Sequence, residues 1–208
     1  MSTALQASLF DAADEPALQP LDSLARTELA DGAWIDHRSG WLTGGNELFE
    51  SLSVNVPWKA ERREMFERVV DVPRLTKFYE VDEELPHRLL VRARDALSVH
   101  YHGELGEPFV TAGLCLYRDG RDSVAWHGDR IGRSRYSDTM VAILSIGSAR
   151  SLMLRPRGGG SSVRHSLGHG DLIVMGGSCQ RTWDHCIPKT ARPVGPRISI
   201  QFRPLGVR

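Results

Sequence analysis

Apolar and polar positions follow two different periods along the chain, and the change lies near residue 110. Before it, helical spacing predicts a helix over 47–54 and an amphipathic helix over 85–101. After it, alternating runs between Gly-rich or Asp-rich turns predict seven short strands, over 111–117, 123–127, 139–146, 151–155, 171–175, 182–187 and 197–202. Helices followed by such a block indicate an α+β protein whose β part is a sandwich or barrel, with a jelly roll among the few options.

The remaining segments complete a single-domain prediction. Residues 1–20, rich in Ala, Asp, Gln and Pro, are expected to be a poorly ordered terminus. Residues 32–42 predict a strand, a turn at Ser39-Gly40 and a second strand, and residues 61–70 predict a short helix or turn. We therefore expect one domain over 21–208, with the jelly roll at about 110–205.

Composition narrows the class of protein. Hydrophobic residues make up 41% and charged residues 25%, which is ordinary for a soluble protein. No apolar run is long enough to span a bilayer, so no membrane association is expected. The first twenty residues lack the features of a secretory signal. Three cysteines without a C-x-x-C pair argue against a disulfide framework, and a cytoplasmic protein, by default a monomer, is the expectation.

Charge is distributed unevenly although the net charge is zero. Residues 1–117 contain 11 Lys/Arg and 20 Asp/Glu, a balance of −9, and residues 118–208 contain 15 and 6, a balance of +9. All but three of the 26 basic residues are Arg, whose planar fork matches phosphates and carboxylates. A polyanion-binding face on the C-terminal half and mutual neutralisation of the two halves both account for this pattern.

The candidate metal ligands are His127, Asp129 and His185. Residues i and i+2 of a strand face the same side, so His127 and Asp129 can point into one cavity. With His185 they form two histidines and one carboxylate, the facial set that leaves positions open on Fe(II). A second H-x-D, His169-Gly170-Asp171, precedes an apolar run, which favours a turn that enters a strand with Asp171 bonded to backbone.

The last predicted strand has arginines at both ends. Arg197 and Arg203 lie six residues apart, on one face with Ser199 and Gln201 between them. Such a polar face inside a β block is costly unless it binds an anion, and a dicarboxylate such as 2-oxoglutarate would satisfy it. A solvent-facing edge strand with ordinary surface arginines is the alternative.

Taken together, H-x-D, a later His and R-x5-R on the last strand resemble the AlkB family of nucleic-acid dealkylases. Further segments between about 65 and 205 are similar to the family: a tyrosine-bearing strand ending in Leu116-Tyr117-Arg118-Asp119-Gly120, an H-G-D strand entry in 167–175, and a P-R…Y segment, Val72-Pro73-Arg74 with Tyr79. The joint pattern is specific, whereas its pieces are not.

The resemblance implies a double-stranded β-helix core, N-terminal helices and a β-rich nucleotide-recognition lid. It implies Fe(II) on His127, Asp129 and His185, with 2-oxoglutarate as cosubstrate. The residues implied to bind 2-oxoglutarate are Arg197, Arg203, Ser199 and Tyr117. Cys115 stands where the family often has Asn, so one hydrogen bond to the cosubstrate is expected to be missing or weaker.

The resemblance also implies a substrate: an N-alkylated base of DNA or RNA, single-stranded or flipped out of a duplex. Arg130 and its neighbours stand where many family members have a base-contacting carboxylate. The candidate substrate contacts are Phe66, Arg74, Phe78, Tyr79, Arg130, Arg133 and Arg135, and Arg155, Arg157 and Arg164 are further candidates for phosphate contacts.

Three other functions are compatible with the same residues. The oxygenase core could hydroxylate a protein or small molecule, because only the lid and the basic face bear on the substrate. A jelly-roll binding module could use these His and Arg residues to hold a sugar or another anion without catalysis. A nucleic-acid-binding protein with a degenerate site is the third, although all five core residues are present.

Overall fold

Two antiparallel sheets dominate the computed structural model, which describes residues 15–65, 68–129, 134 and 136–207. The helices are α1 (Asn46–Asn55), α2 (Arg88–His100), α3 (His102–Leu105) and α4 (Cys179–Thr182). The strands are β1 (Ala17–Leu18), β2 (Ala25–Glu28), β3 (Ala33–Arg38), β4 (Leu42–Thr43), β5 (Lys59–Met65), β6 (Arg68–Tyr79), β7 (Thr111–Tyr117), β8 (Val124–His127), β9 (Val141–Gly147), β10 (Arg150–Pro156), β11 (Val163–Leu167), β12 (Asp171–Gly177), β13 (Trp183–Ile187) and β14 (Arg197–Arg203).

The large sheet has the order β2-β3-β12-β9-β14-β7-β6-β5, and the small sheet has the order β11-β10-β13-β8. Consecutive strands of the C-terminal block are shared between the two sheets rather than kept in one, as in a jelly roll. The predicted α+β class with a jelly-roll core is therefore confirmed. Strands β1 and β4 form a separate two-stranded sheet, so Ala17 and Leu18 of the predicted unordered terminus are paired.

Hydrophobic residues form two cores, one on each side of the large sheet. Alternation sends Ile143 and Ile173 between the sheets, where they meet Leu152 and Leu154 of the small sheet. The opposite face of the large sheet, with Leu144 and Ile198, packs against the apolar stripes of α1 and α2. The candidate functional site lies in the core between the two sheets, where polar side chains interrupt the hydrophobic packing.

One prediction for the middle of the chain was wrong, and one strand later in the chain was not predicted. The described residues of the segment predicted as a helix or turn at 61–70 lie in two strands, and β5 pairs with β6 and β6 with β7 at the end of the large sheet. Its charged stretch has no apolar period, and pairing with a sheet edge decided its conformation. The structure also adds β11, whose mixed sequence Val163–Leu167 gives only weak alternation.

Helix α2 starts three residues later than predicted, because the ring Nδ1 of His87 accepts the Leu89 backbone N–H and caps the helix there. Within the described part of the chain, none of the helices has the length and hydropathy that crossing a bilayer requires.

Candidate metal and anion site

The three predicted metal ligands converge between the sheets. Strand β8 ends at His127, and Asp129 follows two residues later. Strand β13 pairs His185 directly with His127. One ligand atom from each residue lies within 4.8 Å of the others. The two imidazole rings are 4.3 Å apart between centroids. Antiparallel pairing of these short strands thus brings together residues 58 positions apart in sequence.

Contacts with the backbone fix the ring of His127. Its Nδ1 lies 2.8 Å from the carbonyl oxygen of Ala125. A carbonyl only accepts hydrogen bonds, so we assign the proton to Nδ1. Nε2, 3.8 Å from Asp129 Oδ1, then keeps its lone pair toward the site. A histidine ligand commonly has this second hydrogen bond, which orients the ring for the metal.

Asp129 is buried and paired through one oxygen. Its Oδ2 accepts from Arg203 Nε at 2.9 Å and lies 2.8 Å from Arg203 Nη2. Burial opposes the charged carboxylate, but Arg203 and the two histidines outweigh it and lower the pKa of Asp129 to about 2. Asp129 is therefore ionised at neutral pH, and Oδ1 is directed toward His127.

Arg197 lies at the other end of the same cavity and is 1% exposed. Its Nε donates to Ser145 Oγ at 2.8 Å, and its guanidinium carbon is 5.4 Å from the centre of the Tyr117 ring. Nη1 is buried without a hydrogen-bond partner among the described residues. Burial lowers the pKa of Arg197 and raises that of Tyr117.

The strand β14 places Ser199 and Gln201 between the two arginines, as its alternation requires. Gln201 Nε2 donates to Ser199 Oγ at 2.6 Å, and Cys115 Sγ lies 3.8 Å from Gln201 Oε1. Across from them Gly113 leaves space for Arg203, because a Cβ there would lie 2.7 Å from Arg203 Nη1. One polar floor therefore runs from Arg197 to Asp129.

These residues fit Fe(II) and 2-oxoglutarate. Two imidazoles and one carboxylate at this spacing form the facial set that non-haem iron uses. The buried donor of Arg197, without a partner in the described part of the chain, suits a carboxylate, and the guanidinium needs an anion to offset its desolvation. His127, Asp129 and His185 would hold the metal, and Arg197 with Tyr117 would hold the far carboxylate.

The candidate substrate contacts are scattered. Arg74 lines the cavity and its Nη1 donates to the Ser123 carbonyl at 3.3 Å. Phe78 is half-buried and lies against the space above Gly113. Tyr79 is 6% exposed within the core under the helices and does not line the cavity, so the structure gives it a packing role. The remaining candidates lie outside the described residues: Phe66, Arg130, Arg133 and Arg135.

Sequence reasoning missed two supporting residues. Ser145, which accepts from Arg197, is the polar exception in the otherwise apolar strand β9, and that exception was a usable signal. Gln180 accepts the backbone N–H of Asp129 through Oε1 at 2.9 Å. No motif marks it, since it lies on the short helix α4. As predicted, Asp171 of the second H-x-D accepts from the backbone amides of Gly40 and Gly168.

A family model described as the 2OG-Fe(II) oxygenase superfamily matches residues 51–203, which include every ligand named above. The chain belongs to this superfamily. An oxygenase structure agrees in fold: a prolyl hydroxylase in complex with a hypoxia inducible factor peptide fragment, from Trichoplax adhaerens, has a TM-score of 0.61 at 14% identity, over 85% of this chain and 84% of its own.

Curated relatives of this chain confirm the resemblance to AlkB proteins. The alpha-ketoglutarate-dependent dioxygenase alkB homolog 3 of Bos taurus is 31% identical over 78% of this chain and 62% of its own length. The Homo sapiens protein of that name is 31% identical over 75% and 60%. The DNA oxidative demethylase ALKBH2 of Arabidopsis thaliana is 26% identical over 75% and 60%. The chain thus spans about three-fifths of the length of these relatives.

Proposed function

We propose that the protein is an Fe(II)- and 2-oxoglutarate-dependent dioxygenase that removes N-alkyl groups from nucleobases of DNA or RNA. The observation that carries the proposal is the pairing, in one cavity, of the facial ligand set with the buried Arg197, whose Nη1 lacks a partner in the described part of the chain. An anion held by Arg197 would extend toward the metal position. Superfamily membership and the names of the relatives support the same reaction.

When bound, Fe(II) and 2-oxoglutarate supply the dioxygen-dependent oxidation that hydroxylates the alkyl carbon, after which the carbon–nitrogen bond breaks and an aldehyde leaves. The protein holds and orients these groups. Arg203 fixes Asp129 through one oxygen, which leaves the other for the metal. The Ala125 carbonyl sets the ring of His127. Apolar residues on the cavity wall, Val124, Ile143, Leu152 and Ile187, exclude water from the reacting atoms.

The choice of a nucleobase rests on the relatives more than on the cavity. One of them is named a DNA oxidative demethylase, and two are alkB homologues. In this chain, Arg74 lines the cavity beside the ligands and supplies a donor for a base edge or phosphate. That the protein is a monomer and acts in the cytoplasm stays a prediction from the sequence.

The test is succinate release by protein reconstituted with Fe(II) without oxygen and then exposed to air, with and without a methylated single-stranded DNA. We expect the methylated strand to stimulate succinate formation, with matching demethylation by mass spectrometry. His127→Ala should abolish both. His169→Ala is the matched control, because His169 belongs to the second H-x-D and its Nδ1 accepts the Gly147 backbone N–H away from the metal ligands.

Each negative outcome of this test favours a different alternative function. Succinate without demethylation of DNA or RNA would contradict the nucleobase substrate and favour a protein or small molecule. Failure to retain iron and to form succinate would contradict the enzyme and favour a binding module. Equal loss of activity in both histidine variants would mean that His127 has no special role.

A further inference from the structure

A second polar depression lies on the outer face of the small sheet, away from the metal cavity. Leu152 and Leu154 of β10 point into the core, so Ser151 and Met153 point outward. Their partners on β11 are Ser166 and Arg164. The segment from Pro188 to Val194, directly after β13, forms the opposite wall. These residues enclose an open groove, called here the outer groove, which includes Ser151, Met153, Arg164, Ser166, Lys189 and Arg192.

The outer groove carries uncompensated positive charge. Arg164, Lys189 and Arg192 are exposed, and none of them has an ion pair within the described residues. No Asp or Glu is among the residues that line it. Three other surface arginines are paired: Arg118 with Asp122, Arg121 with Asp119 and Arg181 with Asp138. Like charges gathered without a carboxylate favour an anionic partner.

A fourth cationic side chain, Arg150, lies at the floor of the groove. Arg150 is buried, and three carbonyl oxygens, those of Asp119, Asp122 and Pro188, accept from its Nη1 and Nη2. These bonds attach the segment after β13 to the loop before β8. The wall that presents Lys189 and Arg192 is thereby held to the loop that leads to His127. The positive groups of the outer groove are positioned by the same framework as the metal ligands.

The outer face also connects the groove with the mouth of the metal cavity. Arg155 of β10 lies over the ring of Trp126, with its guanidinium carbon 4.2 Å from the ring centre. Trp126 directly precedes His127, whose side chain is 38% exposed at the cavity mouth. Arg164, Arg155 and Trp126 therefore lie on one sheet face, and Trp126 belongs to the edge strand that bears a metal ligand. Asp184 of β13, the register partner of Arg155, lies on the same face, 3.9 Å from Arg157 Nε. Arginine and aromatic faces in sequence are the usual elements of a single-strand track.

We propose that the outer groove binds the phosphodiester backbone of the nucleic-acid strand whose alkylated base enters the metal cavity. The proposal rests on the function proposed above and adds a site to it. Arg164, Lys189 and Arg192 contact successive phosphates, and the strand continues past Arg155 and Trp126 to the cavity. The groove then contributes affinity and salt dependence for long strands, and very short ones reach only the cavity.

The experiment compares strands of two lengths, each with one methylated base: about 4 and about 20 nucleotides. Binding is measured by fluorescence anisotropy over a range of salt concentrations, with Arg164→Gln/Arg192→Gln against the wild type. Two lost phosphate contacts should reduce the salt slope for the long strand by about 1.4 and its affinity at about 0.1 M salt by about 25-fold. Binding and demethylation of the short strand should not change.

The matched control is Arg88→Gln/Arg92→Gln, which removes the same charge from the exposed face of α2, on the far side of the large sheet. It should leave both strands unaffected. If the two double variants lowered the affinity for the long strand equally, the effect would come from the overall charge of the protein and would contradict the proposal. Displacement of the long strand by millimolar inorganic phosphate at constant ionic strength would also contradict it, since the groove would then be a free-phosphate site.

Failure of the two proposals can be told apart by comparing the wild type with the groove variant. If it demethylates the short strand, but the groove variant binds the long strand normally, the outer groove is wrong and the proposed function stands. If the wild type demethylates no strand yet releases succinate, the nucleobase substrate is wrong, and the groove proposal falls with it.

Discussion

Two buried aspartates of this protein, Asp36 and Asp129, have the same kind of partner and serve different ends. Asp36 is 2% exposed and Asp129 is 5% exposed, and each is held by one arginine. Both oxygens of Asp36 are used: Arg26 Nε bonds Oδ1, and Arg26 Nη2 and the Tyr101 hydroxyl bond Oδ2, each at 2.8 Å. At Asp129 both donors of Arg203 contact the same oxygen.

The difference shows how a buried carboxylate is assigned a role. At Asp36 the donors cover the whole group, and Arg26 continues to Glu104 of α3, so the cluster fastens α3 to strands β2 and β3 at the edge of the large sheet. At Asp129 the second oxygen is left toward two imidazoles. A carboxylate whose donors gather on one oxygen is arranged to give the other to a metal.

The largest expected effect comes from removing an imidazole that faces Asp129. His185→Ala takes away one of three ligands, and changes merely beside a metal ligand already cost 10- to 100-fold, so activity should fall by more than about 100-fold. Co(II) binding followed by its absorption spectrum measures the metal site directly. The melting temperature without metal should stay close to that of wild type. Retention of Co(II) with normal affinity would remove His185 from the ligand set.

The next effect tests the far end of the cavity. Arg197→Ala should raise the KM for 2-oxoglutarate by about 100-fold, because a charge-assisted pair contributes roughly 1.5–3 kcal/mol. In wild type, 2-oxoglutarate should raise the melting temperature, and in the variant it should not. Metal binding should persist, since Arg197 contacts Ser145 and not the ligands. An unchanged KM would mean that the cosubstrate binds elsewhere.

The variant Asp36→Asn tests the structural role assigned to the other buried aspartate. The amide cannot match both Arg26 and the Tyr101 hydroxyl, so we expect a loss of about 3 kcal/mol in the free energy of unfolding, measured with urea. The KM for 2-oxoglutarate and the Co(II) spectrum should be those of wild type. A loss of metal affinity would show that the two aspartates are coupled, and their separation into structural and functional groups would then be wrong.

The sequence could predict that the candidate ligands converge because each lies in a pattern that the backbone dictates. Alternation in strands places His127 beside Asp129 and aligns Arg197 with Ser199 and Gln201. The same alternation predicted most strands after residue 110. It failed for the β5–β6 hairpin, whose conformation is set by pairing with β7 and not by its own polar pattern.

Pairings between distant residues could not be predicted. That Arg203 serves 2-oxoglutarate stays a prediction, and the contact of its Nε and Nη2 with Asp129, 74 residues earlier, was not predicted. The partner of Arg197, Ser145, depends on the register of β14 against β9. Neither register nor rotamer is encoded in a local period, so the distribution of donors over the two oxygens of Asp129 emerges only from the folded chain.

The smallest effect concerns the hydroxyl that completes the Asp36 cluster. Burial and the neighbouring Asp36 raise the pKa of Tyr101 above its ordinary value near 10. The folded protein therefore holds this proton more tightly than the unfolded chain does. Its contribution to stability is complete below about pH 10 and is lost as the pH rises toward the folded-state pKa.

Tyr101→Phe should cost about 1 kcal/mol at neutral pH, the value of one hydrogen bond. It should also flatten the loss of stability above about pH 10, which urea unfolding at several alkaline pH values would measure. Some slope will remain, because burial also raises the pKa of Tyr79 and Tyr117. Tyr79→Phe is the matched control, since it removes a buried hydroxyl outside the cluster. If the free energy of unfolding of Tyr101→Phe fell with pH as steeply as that of the wild type, the Tyr101 hydroxyl would make no contribution. The Asp36 cluster would then consist of the ion pair with Arg26.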